Sequence, residues 1–325
     1  IHLKRTASAL EDVVVIGYQT VKRRDVMASV SSISNKDVKD IPINSAEEAL
    51  AGRLAGVQVT GSEGAPDAQV QIRVRGGGSI TQNNAPLYIV DGIQLDNALQ
   101  FLSLQDIESI DVLKDAAATS IYGARGSNGV VIITTKSGHK GITSVNVNSG
   151  YTVQSPMKKI RLMNAGQYAQ FYNEQAVNDG LSPYFTQQQL DSFNTGPSTN
   201  WQNLVMHNAP MYTNNVTISG GSDKTTFSMS AGFFRQDGII RNSNFDRYTL
   251  RGNISHDISR VFNVSYNIYL TRGQGRNQNS GSSNRGADLI SGMLDAPATL
   301  TPYNSDGSYR RLNTAYPLIS NTIVN

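Results

Sequence analysis

The chain has 325 residues, of which only 16% are charged. That is well below the roughly 25% usual for soluble proteins, and Asn, Ser, Thr, Gln and Gly fill the difference, a composition that suits a porin-like barrel, apolar outside and polar inside. A net charge of +3, a pI near 9.0 and a short Lys22-Arg23-Arg24 run without interleaved aromatics argue against nucleic acid as a partner, while zero cysteines exclude disulfides, zinc ribbons and thiol nucleophiles.

No apolar run approaches the ~18 residues of a membrane helix, so a membrane location requires a β-barrel. No signal peptide opens the chain, and the numbering is expected to begin after processing or inside a longer protein. In chain order, Ile1 to Lys4 reads as the last strand of something upstream. In Leu10 to Tyr18, four consecutive β-branched residues, Val13 to Ile16, favour an extended backbone. Glu11 and Asp12 keep the front end wet and Gly17 releases the back. Thr20 to Asp25 is polar and basic and offers nothing to alternate with this strand in a hairpin. The stretch therefore reads either as an edge strand of the next domain or as a segment that completes another protein's sheet by strand addition.

A loosely alternating Met27 to Ser34 comes next. Ser45-Ala-Glu-Glu48 is a capping box ahead of Ala49, Leu50 and Leu54 at helical spacing, with Gly56 as the stop. Val57 to Thr60 reads as a strand, as does Gln69 to Arg75, where Val70, Ile72 and Val74 oppose Gln71, Arg73 and Arg75. After Gly76 to Gly78 and a polar loop come a strand Leu87 to Val90, closed by Asp91-Gly92, and a short helical turn capped by Ser103. A strand Ile107 to Leu113, a small helix Ala116 to Tyr122, a glycine-rich turn and a strand Val130 to Thr135 complete a compact α+β unit of about 120 residues.

From Thr143 the pattern changes to long strands of two-residue period. Val145, Val147, Tyr151 and Val153 form the apolar set of the first, Tyr248, Leu250, Ile254 and Ile258 that of Arg247 to Ile258, and Phe262, Val264, Tyr266, Ile268 and Leu270 that of Val261 to Thr271. Segments around Val216 and from Thr225 to Phe234 complete a set of five. One face is apolar and the other rich in Asn, Ser and Arg, as for lipid outside and a polar lumen inside; a soluble sandwich shows the same alternation. The turns Gly220 to Lys224 and Asp257 to Arg260 are tight, whereas Gln154 to Pro210 and everything after Arg272 are long. Short turns at one end and long loops at the other fit an outer-membrane barrel. The first long loop holds an expected helix, Ala165 to Val177, and carries Tyr184, Phe185 and Trp201.

Catalytic patterns are absent. His2, His139, His207 and His256 have no second ligand at metal spacing. Gly123, Gly126 and Gly129 lack the lysine of a phosphate loop. Asp91, Asp111 and Asp115 read as strand-end and turn residues, and the sequons at Asn215, Asn253 and Asn263 fall inside expected strands. Neither enzyme activity nor a cofactor or metal is expected.

Asp12-Val-Val-Val-Ile-Gly-Tyr18 resembles a TonB box. Ala49 to Val59, Pro86 to Gly92 and Ile107 to Lys136 resemble plug signatures of SusC/RagA-type TonB-dependent outer-membrane transporters, with Leu87-Tyr-Ile-Val-Asp-Gly92 and Ser109 to Val131 the most specific. The resemblance covers about Leu10 to Arg272. It implies an α+β plug domain followed by antiparallel transmembrane β-barrel strands, part of a barrel of about 22. It divides the chain into the tail of an upstream small β domain (1–9), TonB box and linker (10–25), plug (26–140), and first strands and external loops (141–325). Glu11, Asp12, Val13, Val14, Val15, Ile16 and Gly17 would bind TonB, the inner-membrane energy partner, and the barrel would sit in outer-membrane lipid. A SusD-like lipoprotein lid and a dimer of transporter–lid pairs are implied as well. Five strands cannot close a barrel around such a plug, so the chain is expected to be the first part of that architecture.

The function so implied is active import of a bulky nutrient, an oligosaccharide before a peptide, with the plug as gate. A non-transport adhesin or scaffold would not need a detachable extended handle on a basic linker. Amide groups at the tip of the loop Gly76 to Ala85, namely Gln82, Asn83 and Asn84, offer donors and acceptors for sugar hydroxyls, and Tyr184 or Trp201 could stack on a sugar ring.

Overall fold

The structure, a computed structural model, describes residues 13–16, 19–22, 30–38, 46–61, 65–66, 70–74, 76, 84–96, 98–115, 119–277 and 289–310. Ile1 to Lys4, Glu11, Asp12, Gly17, Gln82 and Asn83 lie outside the described residues. The stretch Val13–Ile16 forms β1, and it does have a partner: β2 (Gln19–Lys22) pairs with it antiparallel, from Val13 opposite Lys22 to Ile16 opposite Gln19. This corrects the expectation of a strand with no hairpin. Only two residues separate the strands, the first is glycine, as a two-residue hairpin favours, and Thr20 and Val21 supply β-branched partners. The pair is a sheet of two strands, so the far edge of β1 has no neighbour among the described residues.

The plug is a five-stranded sheet with a separate hairpin. Its elements are β3 (Val30–Ser34), α1 (Asn35–Val38), α2 (Ala46–Leu50), β4 (Val57–Gly61), β5 (Val70–Val74), β6 (Leu87–Val90), β7 (Ile93–Gln94), α3 (Ala98–Phe101), β8 (Ile107–Leu113) and β9 (Val130–Thr135). The sheet order is β3-β8-β9-β6-β7, with β6 and β9 parallel and the other pairs antiparallel; β4 and β5 pair apart. The parallel pair is buried on both faces, which is why Val130 to Ile133 is a continuous apolar run. Val131 and Ile133 pack with Ile110, Val112, Val90 and Leu50 on one side, while Val130 and Ile132 pack with Ile89 and Leu113 on the other. Gly129 enters β9 at φ +93°, and a Cβ there would lie 2.8 Å from the Cβ of Val74. Only glycine satisfies both the backbone and the space.

Three local expectations shift. The capped helix after Ser45 is a single turn that ends at Leu50, and Leu54 packs into the core from outside it. Ser103 precedes a 3₁₀ turn, Leu104–Asp106, without a side-chain cap hydrogen bond. The expected helix Ala116 to Tyr122 lies partly outside the described residues; a 3₁₀ segment Ser120–Gly126 follows, kinked at Gly123.

The five long strands are β10 (Gly141–Gln154), β11 (Ala209–Gly221), β12 (Thr225–Asp237), β13 (Asn244–Asp257) and β14 (Asn263–Arg276), paired antiparallel in sequence order. Register carries the alternation across the whole sheet. Val147, Val216 and Ala231 lie in line with Leu250 and Leu270 on the outer face, and Thr217, Ser230, Arg251 and Tyr269 in line on the inner. The outer apolar side chains are exposed, while on the inner face of the central strands Asn215, Ser228, Ser230, Arg247 and Arg251 are buried. From Val145 to Val153 the apolar row runs about 27 Å along the strand, or about 21 Å of depth at a 40° tilt, close to the roughly 25 Å apolar band of outer-membrane barrels. Near its outer end Tyr151 meets Tyr212 at 5.1 Å and Phe233 meets Tyr248 at 5.1 Å, a row of rings across four strands. Such a row marks the girdle at a membrane–water boundary.

The connections separate the two ends, with one exception. Residues 222–224 and 258–262 are short turns at the end nearer β10's start, and residues 155–208 form a long loop at the other. The β12–β13 connection, residues 238–243, is also short although it lies at the long-loop end. The first long loop folds into α4 (Ala165–Asn178), α5 (Gln187–Thr195) and α6 (Trp201–Val205), and α7 (Leu289–Asp295) follows β14. Both α4 and α5 open on capping boxes, from Asn164 and Thr186, which satisfies backbone donors that would otherwise be orphaned. Trp201, Val205, Ile240, Leu289, Met293 and Ala296 form a core under these loops.

Candidate functional site

The inner face of the strands is where sheet and plug meet, and polar groups dominate the seam. Asp91 sits in the two-residue turn between β6 and β7 at φ +46°, followed by Gly92 at φ +86°. This left-handed pair is what a tight hairpin of this type requires, and it points the Asp91 carboxylate back across the sheet. One oxygen accepts from Thr135 N–H at 2.8 Å; the other accepts from the Thr135 hydroxyl and from the Tyr269 hydroxyl of β14. Tyr269 also packs its ring against the plug core.

Directly opposite Tyr269 in the register, Arg251 of β13 is 3% exposed. Its guanidinium donates to the Thr135 hydroxyl and the Lys136 carbonyl, and lies 6.0 Å from the centre of the Tyr269 ring. Asp106, at the end of the plug's 3₁₀ turn, is buried beside it. Burial pushes its carboxyl above the usual carboxylate range, and Ser230, Arg251, Lys136 and Asn215 oppose that shift without cancelling it. Arg247 is the next arginine on the same face of β13, four residues away. It is buried, and its guanidinium lies 5.2 Å from the ring centre of Phe234. Asn148 of β10 donates to Gln105 at 2.9 Å, so both ends of the five-strand sheet touch the plug. The linker to the barrel is equally close-fitting: a Cβ on Gly138 would collide with the backbone of Phe227 in β12.

Asp91, read from sequence as a turn residue, is both turn and anchor. Arg251, Arg247, Tyr269 and Asp106 were not singled out. Alternation does assign Arg251 and Tyr269 to the polar face, but no local pattern says which plug groups oppose them. Asp111 likewise belongs to the fold: it is buried and accepts from Ser32 of β3 and, at 3.2 Å, from Ser109. Among the described residues no group of His, Asp and Glu could hold a metal ion.

The residues expected to touch substrate do not converge. Asn84 is half-buried at the start of β6's approach, and Tyr184 is exposed in the first long loop. Trp201 is 1% exposed, and its indole N–H donates to the Pro297 carbonyl at 3.0 Å. The expectation that Trp201 stacks on a sugar is therefore corrected. Its ring fills the core between the loops, because a large side chain with one polar atom is best satisfied when that atom finds a fixed acceptor.

Residues 22–130 match the model of the TonB-dependent receptor plug domain. The chain is 37% identical over 308 residues to TonB-dependent receptor P3 of Formosa agariphila, covering 92% of this chain and 29% of that protein. It is 33% identical over 319 residues to TonB-dependent receptor SusC of Bacteroides thetaiotaomicron, covering 94% and 31%. Among solved structures, a chain of the RagAB peptide importer in an open-open state superposes with a TM-score of 0.80 at 30% identity, over 92% of this chain and 36% of that one. The chain thus spans about a third of the length of the relatives it matches. With a plug sheet docked on the polar face of consecutive barrel strands, it belongs to the SusC/RagA-type TonB-dependent receptors, of which it holds the plug and the opening strands of the barrel.

Proposed function

We propose that this chain is the gate and first wall of an outer-membrane importer driven by TonB, and that its cargo is a bulky oligosaccharide. The observation that carries the reading is the seam. A plug held to the barrel wall by hydrogen bonds and buried charge, rather than by a continuous apolar interface, can be released and re-seated, because each polar group has water as an alternative partner. The handle is β1, with Glu11 to Gly17 as the recognition stretch. Its far edge has no neighbour among the described residues and would take strand addition, in which main-chain hydrogen bonds supply affinity. A SusD-like lipoprotein would cover the outer mouth, in a dimer of transporter–lid pairs. Gln82, Asn83, Asn84 and Tyr184 are the proposed substrate contacts.

Amide and hydroxyl side chains, Asn215, Ser228, Ser230, Asn253 and Asn267, dominate the described inner face apart from the two arginines; they pair with neutral sugars without demanding charge. A peptide cargo is the second reading, favoured by the RagAB likeness. A deletion strain grown on defined glycans and defined peptides as sole carbon sources decides between them. Loss of growth on one glycan class, with peptides unaffected, supports the oligosaccharide; the reverse pattern replaces it.

A further inference from the structure

We propose that the cleft between the first long loop and the α7 loop is a binding site for a neutral carbohydrate ring. The proposal rests on the import reading only in taking these loops as external. The cleft has a volume of about 520 Å³, within the range of small-molecule sites. Its lining combines aromatic rings with fixed polar groups.

The rings come from one helix. Tyr168, Phe171 and Tyr172 lie at i, i+3 and i+4 on α4 and so share a face. The Tyr168 and Tyr172 rings stack at 4.4 Å, Phe171 meets Tyr172 edge-on at 5.9 Å, and Phe171 remains 50% exposed. A wetted platform of three rings is costly on an external loop unless something covers it.

The lining also presents polar groups whose orientation is fixed, starting at the cap of the same helix. Asn164 caps α4, and its side-chain oxygen accepts from Gln167 N–H at 2.9 Å; Asn200 caps α6, and its oxygen accepts from Asn203 N–H at 3.1 Å. With both oxygens engaged, each amide turns its NH₂ group to other partners. Ser198 Oγ accepts from Ala165 N–H at 2.9 Å, which leaves the hydroxyl proton to donate. Asp295, exposed at the end of α7, adds an acceptor with two oxygens. All four residues line the cleft with the three rings.

A sugar ring matches both kinds of group: its C–H face covers the aromatic platform while its hydroxyls accept from the amides and donate to the carboxylate. A wholly apolar ligand would bury those polar groups without partners. A cation would suit Asp295 and the rings but would confront the oriented N–H donors with a group that cannot accept.

The test uses the full-length protein in detergent, with maltose, cellobiose and xylobiose as probes, read by calorimetry and by hydrogen exchange. At least one disaccharide is expected to bind in the millimolar range or tighter and to protect residues 162–172 and 198–201. Tyr172→Ala is expected to weaken that binding at least tenfold. So is Asn200→Asp, which keeps the capping oxygen and removes the donor, while Leu181→Ala, exposed in the same loop but outside the cleft lining, binds as wild type. Val14→Pro, aimed at the handle, should leave the cleft's affinity unchanged, so failure of the cleft and failure of the import reading are distinguishable. No protection by any of the three sugars, wild-type affinity in both cleft variants, or protection of these segments by the tripeptide Ala-Phe-Arg but not by sugar would overturn the proposal.

Discussion

Replacing Arg251 with methionine keeps most of the side-chain volume and removes the charge that links β13 to the plug. In the wild type the guanidinium serves the Thr135 hydroxyl, the Lys136 carbonyl and, through space, the buried Asp106 carboxyl. Without it Asp106 keeps its burial and loses the larger of the two opposing charges, leaving Lys136. Arg251 and Asp106 interact through space rather than by direct contact, so the roughly 3–5 kcal/mol lost when a buried pair is broken is an upper bound for leaving that carboxyl uncompensated. For a plug of this size the urea slope is about 2 kcal/mol per molar, so the midpoint of plug release should fall by up to about 2 M. The assay is a urea titration of the full-length protein in detergent, with plug release followed by protease cleavage within residues 119–136. Adding Asp106→Leu to Arg251→Met removes both charges, and should recover most of the loss. A midpoint within 0.3 M of wild type in the single variant, or no recovery in the double, would refute the reasoning that charge compensation at this seam holds the plug.

The same seam has a pH signature. Because the folded Asp106 carboxyl titrates above its ordinary 3.8, the docked plug binds the proton more tightly than the released one. Docking is therefore strongest below that ordinary value, weakens as pH rises through the raised one, and is flat above it; Asp106→Asn should abolish the slope, and an unchanged pH profile in that variant would assign it to another group. Tyr269→Phe keeps the ring packed and deletes the hydrogen bond to Asp91, so plug release should become easier by about 1.5–3 kcal/mol in the same titration. Gly129→Ala combines a positive φ with a Cβ 2.8 Å from Val74 and should cost more than about 2 kcal/mol, seen as protease sensitivity of the plug at temperatures where the wild type resists.

Much of this architecture is legible in the chain. The outer rows of β10 to β14 follow from two-residue alternation, since one misplaced residue would turn every apolar side chain inward, and Asp91-Gly92 announces its own turn. What alternation cannot supply is the identity of a partner on another element. Arg251 and Tyr269 are assigned to the correct face, yet Asp91, Thr135 and Asp106 are more than a hundred residues away in sequence. The β1–β2 hairpin escapes local pattern because β2 is short and polar, and only the backbone register pairs Val21 with Val14. Trp201 was misjudged because a tryptophan in a long loop looks available until Pro297, 96 residues on, takes its indole N–H. The platform of Tyr168, Phe171 and Tyr172 is readable as a helical face, but its polar counterpart joins the cap of that helix to two distant segments, at Ser198 and Asn200 and at Asp295.

The central claim is that β1 is a handle through which TonB moves this plug, and Val14→Pro in the full-length protein tests it most directly. Proline removes a main-chain donor and the extended pairing that strand addition needs. Uptake of labelled oligosaccharide by cells carrying the variant should fall to the level of a TonB deletion, with barrel abundance in the outer membrane unchanged, while Val14→Ala retains most of the uptake. Wild-type uptake by Val14→Pro would contradict the account.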